Sequence, residues 1–243
     1  HLLGSVPEPF TTYKAIKALP AGCTLKVSEQ GVTSPAQYFS IARAWADAEK
    51  QAAATMGVQE TVRNALLDSV RHHMIADVPV AVFLSAGVDS GAILGLMREL
   101  APEAEIQAVT LAFDEFQGRE GDESPLAAQI AERYGATHTR RIVTREEFEA
   151  DLPNIFSAMD QPSIDGINTW FVSKAAKELG IKVALSGLGG DELFGGYPSF
   201  DDVPRWRKQF HGLSKIPLLG KAVTKAGSLL LGRTRLAKAA GLI

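Results

Sequence analysis

Two hydrophobic rhythms alternate along the chain from about residue 56 onward. Val58, Val62, Ala65, Leu66, Ser69 and Val70 recur at the three- and four-residue spacing that gathers them on one face of a helix. The run VPVAVFL at 78–84 then stays apolar almost without a break, as a strand covered on both faces does. A helix at about 90–100 follows, then the strand IQAVTLAF at 106–113, a helix at about 122–135 and a short strand at 138–143. Helices at about 145–158 and 168–179 precede a last strand, KVALS at 182–186. Strands alternating with helices predict an α/β fold, a parallel sheet with helices on both faces.

Upstream the rhythm is lost. Residues 7–39 carry Pro7, Pro9, Pro20 and Pro35 among short alternating apolar pieces, which predicts turns and brief strands. CTLKVSEQGVT reads as a hairpin turning at Glu29 to Gly31. The change of texture near residue 50 divides the chain into a β-rich stretch, 1–50, and an α/β stretch, 51–243.

Composition narrows the class. The chain has 243 residues, 46% hydrophobic and 22% charged, enough for one large domain or one domain with a piece of another. A net charge of −3 supplies no bulk positive field to capture nucleic acid, so neither nucleic acid nor membrane is expected as a partner. The single cysteine, Cys23, excludes an internal disulfide and suits a reducing, cytoplasmic setting, with Cys23 itself expected as a small buried hydrophobe. No apolar stretch approaches the ~20 residues that cross a bilayer. The start also lacks the basic end and apolar core of a signal peptide.

Candidate chemistry gathers at two glycine-rich turns. SAGVDSG, residues 85–91, follows the first long strand and opens a helix, the place where α/β folds collect ligands. Gly87 allows close backbone approach, and Ser85 and Ser90 add hydroxyls. A phosphate suits such a turn, and Asp89 beside it calls for a divalent cation between the like charges. The competing reading is a plain strand-to-helix turn in which Ser85 or Asp89 caps the helix. It is no Walker-type loop, since the spacing and lysine of that motif are missing. LSGLGGDELFGGY, residues 185–197, again leaves an apolar strand and places Gly187, Gly189 and Gly190 before Asp191 and Glu192. With both turns at neighbouring strand ends, Asp89 and Asp191 could share one magnesium on phosphate oxygens, so the pair predicts nucleotide binding.

LSAGVDS resembles the pyrophosphate-binding loop, usually written S-G-G-x-D-S, of ATP pyrophosphatases that form acyl-adenylates. LSGLGGDELFGGY, with DQPSIDGINT at 160–169 upstream, resembles the synthetase domain of the glutamine-dependent asparagine synthetase family. Residues 2–39, LLGSVPEPFTTYKAIKALPAGCTL running into YF, are similar to the tail of that family's N-terminal glutaminase domain. The resemblance implies an adenine nucleotide alpha hydrolase-like ATP pyrophosphatase fold at 51–243, C-terminally incomplete. A short β-rich remnant of the glutaminase domain and a linker, 1–50, would precede it. His1 stands where the glutaminase's catalytic cysteine would be sought, so this chain is expected to hydrolyse no glutamine, and a further active-site lysine is expected beyond Ile243.

Carried over by position, the resemblance gives Ser85, Gly87, Asp89 and Ser90 the β,γ-phosphates and magnesium of ATP. Asp191 becomes the second metal-binding aspartate. Leu84, Ala112 and Phe113 would flank the adenosine, and Gly187 would lie near the α-phosphate. Asp122 and Glu123 match an acidic pair opening a helix near the nucleotide, with helix capping the alternative for one of them. Asp160 and Asp165 match acidic loop positions facing the acceptor substrate, with a solvated loop as the alternative. Asp89, Asp191, Asp160 and Asp165 thus form the expected catalytic set. The implied reaction is adenylation of a carboxylate, followed by ammonia attack, with ATP, a carboxylate such as aspartate and glutamine-derived ammonia as small-molecule partners. A homodimer is compatible with it.

The sequence departs from the family at Ala86, where glycine is usual, and at Leu188, where the best-known members carry a glutamate proposed as a base. Leucine moves no proton. Elsewhere, adjacent His72 and His73 have poor metal-site spacing. His138 falls on or beside a strand and is read as structural. Arg205, Arg207 and Lys208 in RWRKQFHG at 205–212 read as a solvated helix face. The basic amphipathic tail from 213 suits a helix packed on further chain, with membrane-surface binding the alternative. Three functions stay open: an amide-forming ligase making asparagine or acting on another carboxylate, as β-lactam or lasso-peptide synthetases do; a tRNA-modifying adenylating enzyme, disfavoured by charge and by the 185–197 motif; and a nucleotide-binding module without turnover.

Overall fold

A computed structural model describes residues 5–52, 57–119 and 121–210. The ends of the chain, including His1, His211, Gly212 and the tail from 213, lie outside the described residues. The chain divides into one unit spanning Leu3–Ser186 and another beginning at Gly187.

The first unit opens with strands of two residues each: β1 (Cys23–Thr24), β2 (Val27–Ser28), β3 (Gly31–Val32) and β4 (Ala36–Gln37). The expected hairpin is β2 against β3, with Ser28 opposite Gly31, and β1 pairs antiparallel with β4 outside it. Cys23 is half-buried rather than buried, because so small a two-stranded ladder has no thick layer to cover it. Helix α1 (Ile41–Ala52) was not anticipated. Ile41, Ala44, Trp45 and Ala48 of IARAWADAEKQA do stand at helical spacing, but the stretch adjoins the proline-rich segment and falls within its broken texture. Ser40 starts it, its hydroxyl accepting the Arg43 N–H at 3.4 Å.

The α/β part follows as α2 (Val58–His73), β5 (Val80–Phe83), α3 (Val88–Leu100), β6 (Gln107–Phe113), α4 (Ser124–Arg133), β7 (Thr137–Val143), α5 (Arg145–Ala158), α6 (Gly166–Glu178) and β8 (Val183–Leu185). The four strands form one parallel sheet in the order β7-β6-β5-β8. Register is set by Val82, which pairs with Ala108 of β6 and Leu185 of β8.

Alternation along the strands explains the layers. Val82 and Leu84 beside β5, with Ala108 of β6, turn to one face and pack against Val70 of α2, Leu94 and Met97 of α3, and Ala127 and Ala131 of α4. Leu111 and Phe113 of β6 turn to the other, meeting Val143, Ile155 of α5 and Phe171 of α6. Phe171 stacks on Phe148 with ring centroids 5.8 Å apart and meets Phe113 edge-on at 6.1 Å. Burying a side chain such as Leu94 or Phe171 stabilises the fold by about 1.5–3 kcal/mol.

Polar side chains tie the layers where the backbone cannot. Arg98 near the end of α3 donates to the carbonyl oxygens of Tyr134 (2.7 Å) and Gly135 (2.8 Å) after α4, and to those of Pro102 (2.7 Å) and Ala104 (2.8 Å) after its own helix. On the opposite face, Arg141 of β7 donates to Glu147 of α5 and Glu178 of α6, while Lys174 of α6 reaches Glu147 (2.7 Å) and Asp151 (2.6 Å) of α5. Trp170 adds an indole N–H to Asp151 at 2.9 Å. Hydrogen bonds from Arg141 hold the Glu147 carboxyl below the usual carboxylate range, and those from Lys174 and then Trp170 do the same for Asp151.

These depressed values fix a pH dependence. The unfolded chain takes up protons first as pH falls, so the stabilisation is complete above about pH 5 and disappears as pH falls through the folded-state values. Arg141→Met is expected to lower stability by about 1–3 kcal/mol near neutrality. Urea unfolding will show this gap to wild type narrowing from about pH 6 to about pH 3, and a gap that stays constant would exclude the network as its source.

Candidate functional site

The first glycine-rich turn is launched from a strand end with little freedom. Leu84, 3% exposed, donates its N–H to the Val109 carbonyl (2.8 Å), and its own carbonyl accepts the Thr110 hydroxyl (2.7 Å). Thr110 has one hydroxyl proton and gives it to Leu84, so its oxygen accepts from His138 Nε2 at 2.8 Å. His138 is therefore a structural strand residue with its proton on Nε2; burial, and then Arg140 nearby, push its pKa down. Thr110 had no signal in the sequence beyond its place in an apolar strand.

Beyond Leu84 the loop folds on its own hydroxyls. The Ser85 N–H donates to Ser90 Oγ (3.1 Å), the two serine oxygens lie 2.9 Å apart, and the Gly87 N–H donates to Ser85 Oγ (3.1 Å). Ser90 Oγ also approaches the carbonyl oxygens of Ser85 and Gly87, both at 3.2 Å. Buried at 6% exposure, Ser90 shapes the loop from within, whereas Ser85 and Gly87 form its outer wall. A side chain at Gly87 would press on Ser85 Oγ, since a Cβ there would lie 3.1 Å from it. Asp89 sits half-buried in the first turn of α3, where the helix dipole favours negative charge.

The acidic pair divides its labour. Asp122 accepts the Ser124 hydroxyl, the Ser124 N–H (3.1 Å) and the Gly118 N–H (3.1 Å), so it caps α4. Chiefly the Ser124 hydroxyl holds its carboxyl below the usual range. Glu123 instead points to the loop and accepts the Ala86 N–H at 3.3 Å. A loop amide thus already meets a negatively charged oxygen.

The other expected residues of this unit lie at the same sheet or beside it. Phe113 ends β6, half-buried, its ring packed among Phe116 and Phe171; Ala112 before it is 7% exposed. What Leu84 offers a ligand is backbone, because its side chain fills the core. Asp160 and Asp165 are exposed in the loop joining α5 to α6. Asp165 caps α6 through its carbonyl, which accepts the Thr169 N–H and hydroxyl, both at 3.0 Å. His72 and His73 each bond a carbonyl one turn back, Asp68 and Ser69, at 2.8 Å.

The second glycine-rich turn begins the other unit, with α7 (Gly190–Phe194) and α8 (Ser199–Phe210). Gly189 starts α7 at φ 98°, in the left-handed region that L side chains avoid. The Gly187 carbonyl accepts the Gly190 N–H at 3.2 Å, and Asp191 and Glu192 fall in the first helical turn. Asp191 is half-buried with its carboxylate lying directly over Gly196, where any Cβ would collide with it. Tyr197 donates its hydroxyl to Glu192 at 3.1 Å. Leu188 is 90% exposed. Arg205, Arg207 and Lys208 lie on α8 as an exposed helix face.

No group of three or more His, Cys, Asp or Glu forms a metal cage among the described residues. Each glycine-rich turn carries one half-buried carboxylate, Asp89 in the first and Asp191 in the second. No helix among the described residues is long and apolar enough to cross a membrane.

A family model described as asparagine synthase matches residues 61–241. A putative asparagine synthetase [glutamine-hydrolyzing] of Mycobacterium bovis is 33% identical over 95% of this chain and 36% of its own length. Asparagine synthetase [glutamine-hydrolyzing] 1 of Bacillus subtilis is 33% identical over 91% of this chain and 34% of its own. Amidase chry2 of Gibberella zeae is 31% identical over 59% of this chain and 23% of its own. The chain spans about a third of the length of these two asparagine synthetase relatives.

Ser90→Ala removes the hydroxyl on which the loop folds. A hydrogen bond of this kind is worth about 1 kcal/mol, so amide exchange at Ser85 and Gly87 is expected to rise several-fold while β6 keeps its protection. Equal losses in loop and sheet would show that Ser90 serves the core instead.

Proposed function

The chain belongs to the asparagine synthase family, and we propose that it carries the ATP-using half of an enzyme that forms an amide through an acyl-adenylate. The observation that supports this most is the loop after β5: backbone N–H groups and two serines folded at a helix N-terminus, one amide already on a carboxylate. Such a loop suits the β- and γ-phosphates of ATP. Asp89 and Asp191 would hold Mg²⁺, which supplies charge neutralisation for the leaving pyrophosphate.

The reaction proposed runs in two steps. A carboxylate oxygen of the acceptor attacks the α-phosphorus and pyrophosphate departs with the electron pair of the broken P–O bond. Ammonia then attacks the acyl carbon, AMP leaves, and the nitrogen loses a proton. In this chain the N–H groups of Ser85 to Gly87, which now donate to Ser90, Glu123 and Ser85, would have to exchange those oxygens for phosphate oxygens to stabilise the pyrophosphate as charge builds on it. Leu84, Ala112 and Phe113 would border the adenosine, Gly187 the α-phosphate, and Asp160 and Asp165 the acceptor. Residues 1–50 would be the last part of a glutaminase domain that delivers the ammonia.

Aspartate, giving asparagine, is the acceptor the relatives' names support. A second reading, another carboxylate, is favoured by Leu188 and by the similarity to a protein named as an amidase. With leucine at 188, ammonia must arrive neutral or give its proton to water or another group.

Asp89→Asn and Asp191→Asn are each expected to weaken magnesium-dependent ATP binding about tenfold or more, read by calorimetry. Gly196→Ala should do the same by displacing the Asp191 carboxylate. Unchanged affinity in both Asn variants would remove the proposed metal pair.

General-base assistance is typically worth ~10²–10⁴-fold. In the full-length protein, Leu188→Glu is therefore expected to accelerate amination relative to adenylation, followed as AMP and product formed in a single turnover. Pyrophosphate released with another carboxylate and none with aspartate would move the assignment to the second reading.

A further inference from the structure

The loop that carries Asp160 and Asp165 is held at both ends and touched once in the middle. Its ends are fixed because α5 and α6 are locked together by Arg141, Glu147, Lys174 and Asp151. Met159, which ends α5, seats its side chain directly on Gly166, the first residue of α6, where a Cβ would push the methionine end aside. Within the loop the Asp165 N–H bonds the Ser163 hydroxyl at 3.2 Å, a local contact.

Gln161 makes the distant one. Its side-chain oxygen accepts the Thr12 N–H at 3.0 Å, and its side-chain nitrogen donates to Thr12 Oγ1 at 3.4 Å. Two bonds between one side chain and one residue fix orientation as well as position, and they join segments 149 residues apart in sequence. Thr12 is itself placed by a folded turn, in which the neighbouring Thr11 Oγ1 accepts the Tyr13 N–H (3.1 Å) and lies within donating reach of the Ile16 carbonyl oxygen (2.8 Å). A glutamine next to Asp160 thus reads the position of the N-terminal segment.

We infer that Gln161 is a positioning residue which, through Thr12, couples the N-terminal segment to the acceptor-side loop, so that the loop is set for its carboxylate substrate only while that segment is docked. This rests on the proposed function. If residues 1–50 end the ammonia-delivering domain, the contact places the loop under that domain's control, and losing it impairs use of the acceptor while leaving the nucleotide loop untouched. The glycine-rich turn after β5 draws its hydrogen bonds from Ser85, Ser90 and Glu123, none of which touches Gln161.

The test uses the full-length protein, with Gln161→Met and Thr12→Pro breaking the contact from opposite sides and Thr12→Ser preserving it. Hydrogen exchange without substrates is expected to quicken several-fold at residues 159–168 in both breaking variants and not in Thr12→Ser. In ammonia-driven pyrophosphate release, Gln161→Met is expected to raise the KM of the acceptor carboxylate about three- to tenfold, with the KM of ATP and kcat within about twofold of wild type. The double variant should be no worse than either single one, since both remove the same contact. Unchanged loop exchange overturns the inference, as does an equal rise in both KM values or additive effects. Wild-type protein that releases no pyrophosphate with any carboxylate would defeat the proposed function instead, and the exchange data would still decide the coupling.

Discussion

A strand buried on both faces has to satisfy its last carbonyl without water, and the first unit depends on how β5 does so. The ladder takes its last bond from the Leu84 N–H, to Val109, and leaves the Leu84 carbonyl in the core without a backbone partner. Thr110 reaches across from β6 to take up the Leu84 carbonyl, and His138 on β7 steadies Thr110. Three neighbouring strands are thereby bolted at one point, and the chain leaves that point with a set direction. An unpaired buried carbonyl would cost about 1–3 kcal/mol and leave the turn free to wander. The hydroxyl folding around Ser90 and the angle at which α3 starts both follow from this anchorage.

The sheet and its helices were legible because their cause is periodic. Strands β5 to β8 and helices α2 to α6 fall within a few residues of the positions read from apolar spacing. Helix α1 escaped although Ile41, Ala44, Trp45 and Ala48 keep the helical period, because it adjoins the proline-rich segment whose irregular texture hides it. Within the candidate site, the turns and their small residues could be read, since a tight strand-to-helix turn needs them for steric reasons. What could not be read were the partners that chain folding supplies from afar. Thr110 looks like any strand threonine, Glu123 like any helix-opening carboxylate, and Gln161 like any loop residue. Each takes its meaning from a residue dozens of positions away, which no local pattern encodes.

Glycine has two separate causes in the motif that begins the second unit. Gly189 is required by a backbone angle, whereas Gly196 is required by the volume of the Asp191 carboxylate above it. The distinction matters for reading similar sequences. An asparagine, which tolerates the left-handed region, is a plausible stand-in for the first and not for the second.

Arg98 has a bearing on how the molecule opens. One planar guanidinium serves the carbonyl ends of two helices and the turns after them, so neither end can fray without stranding donors that the other end also uses. α3 and α4 therefore belong to a single cooperative block in native-state opening. Since α3 begins at the serine-lined loop and α4 at the carboxylate that meets it, the two starts stay in step on the slow timescale of local unfolding, whatever faster motion the loop itself undergoes.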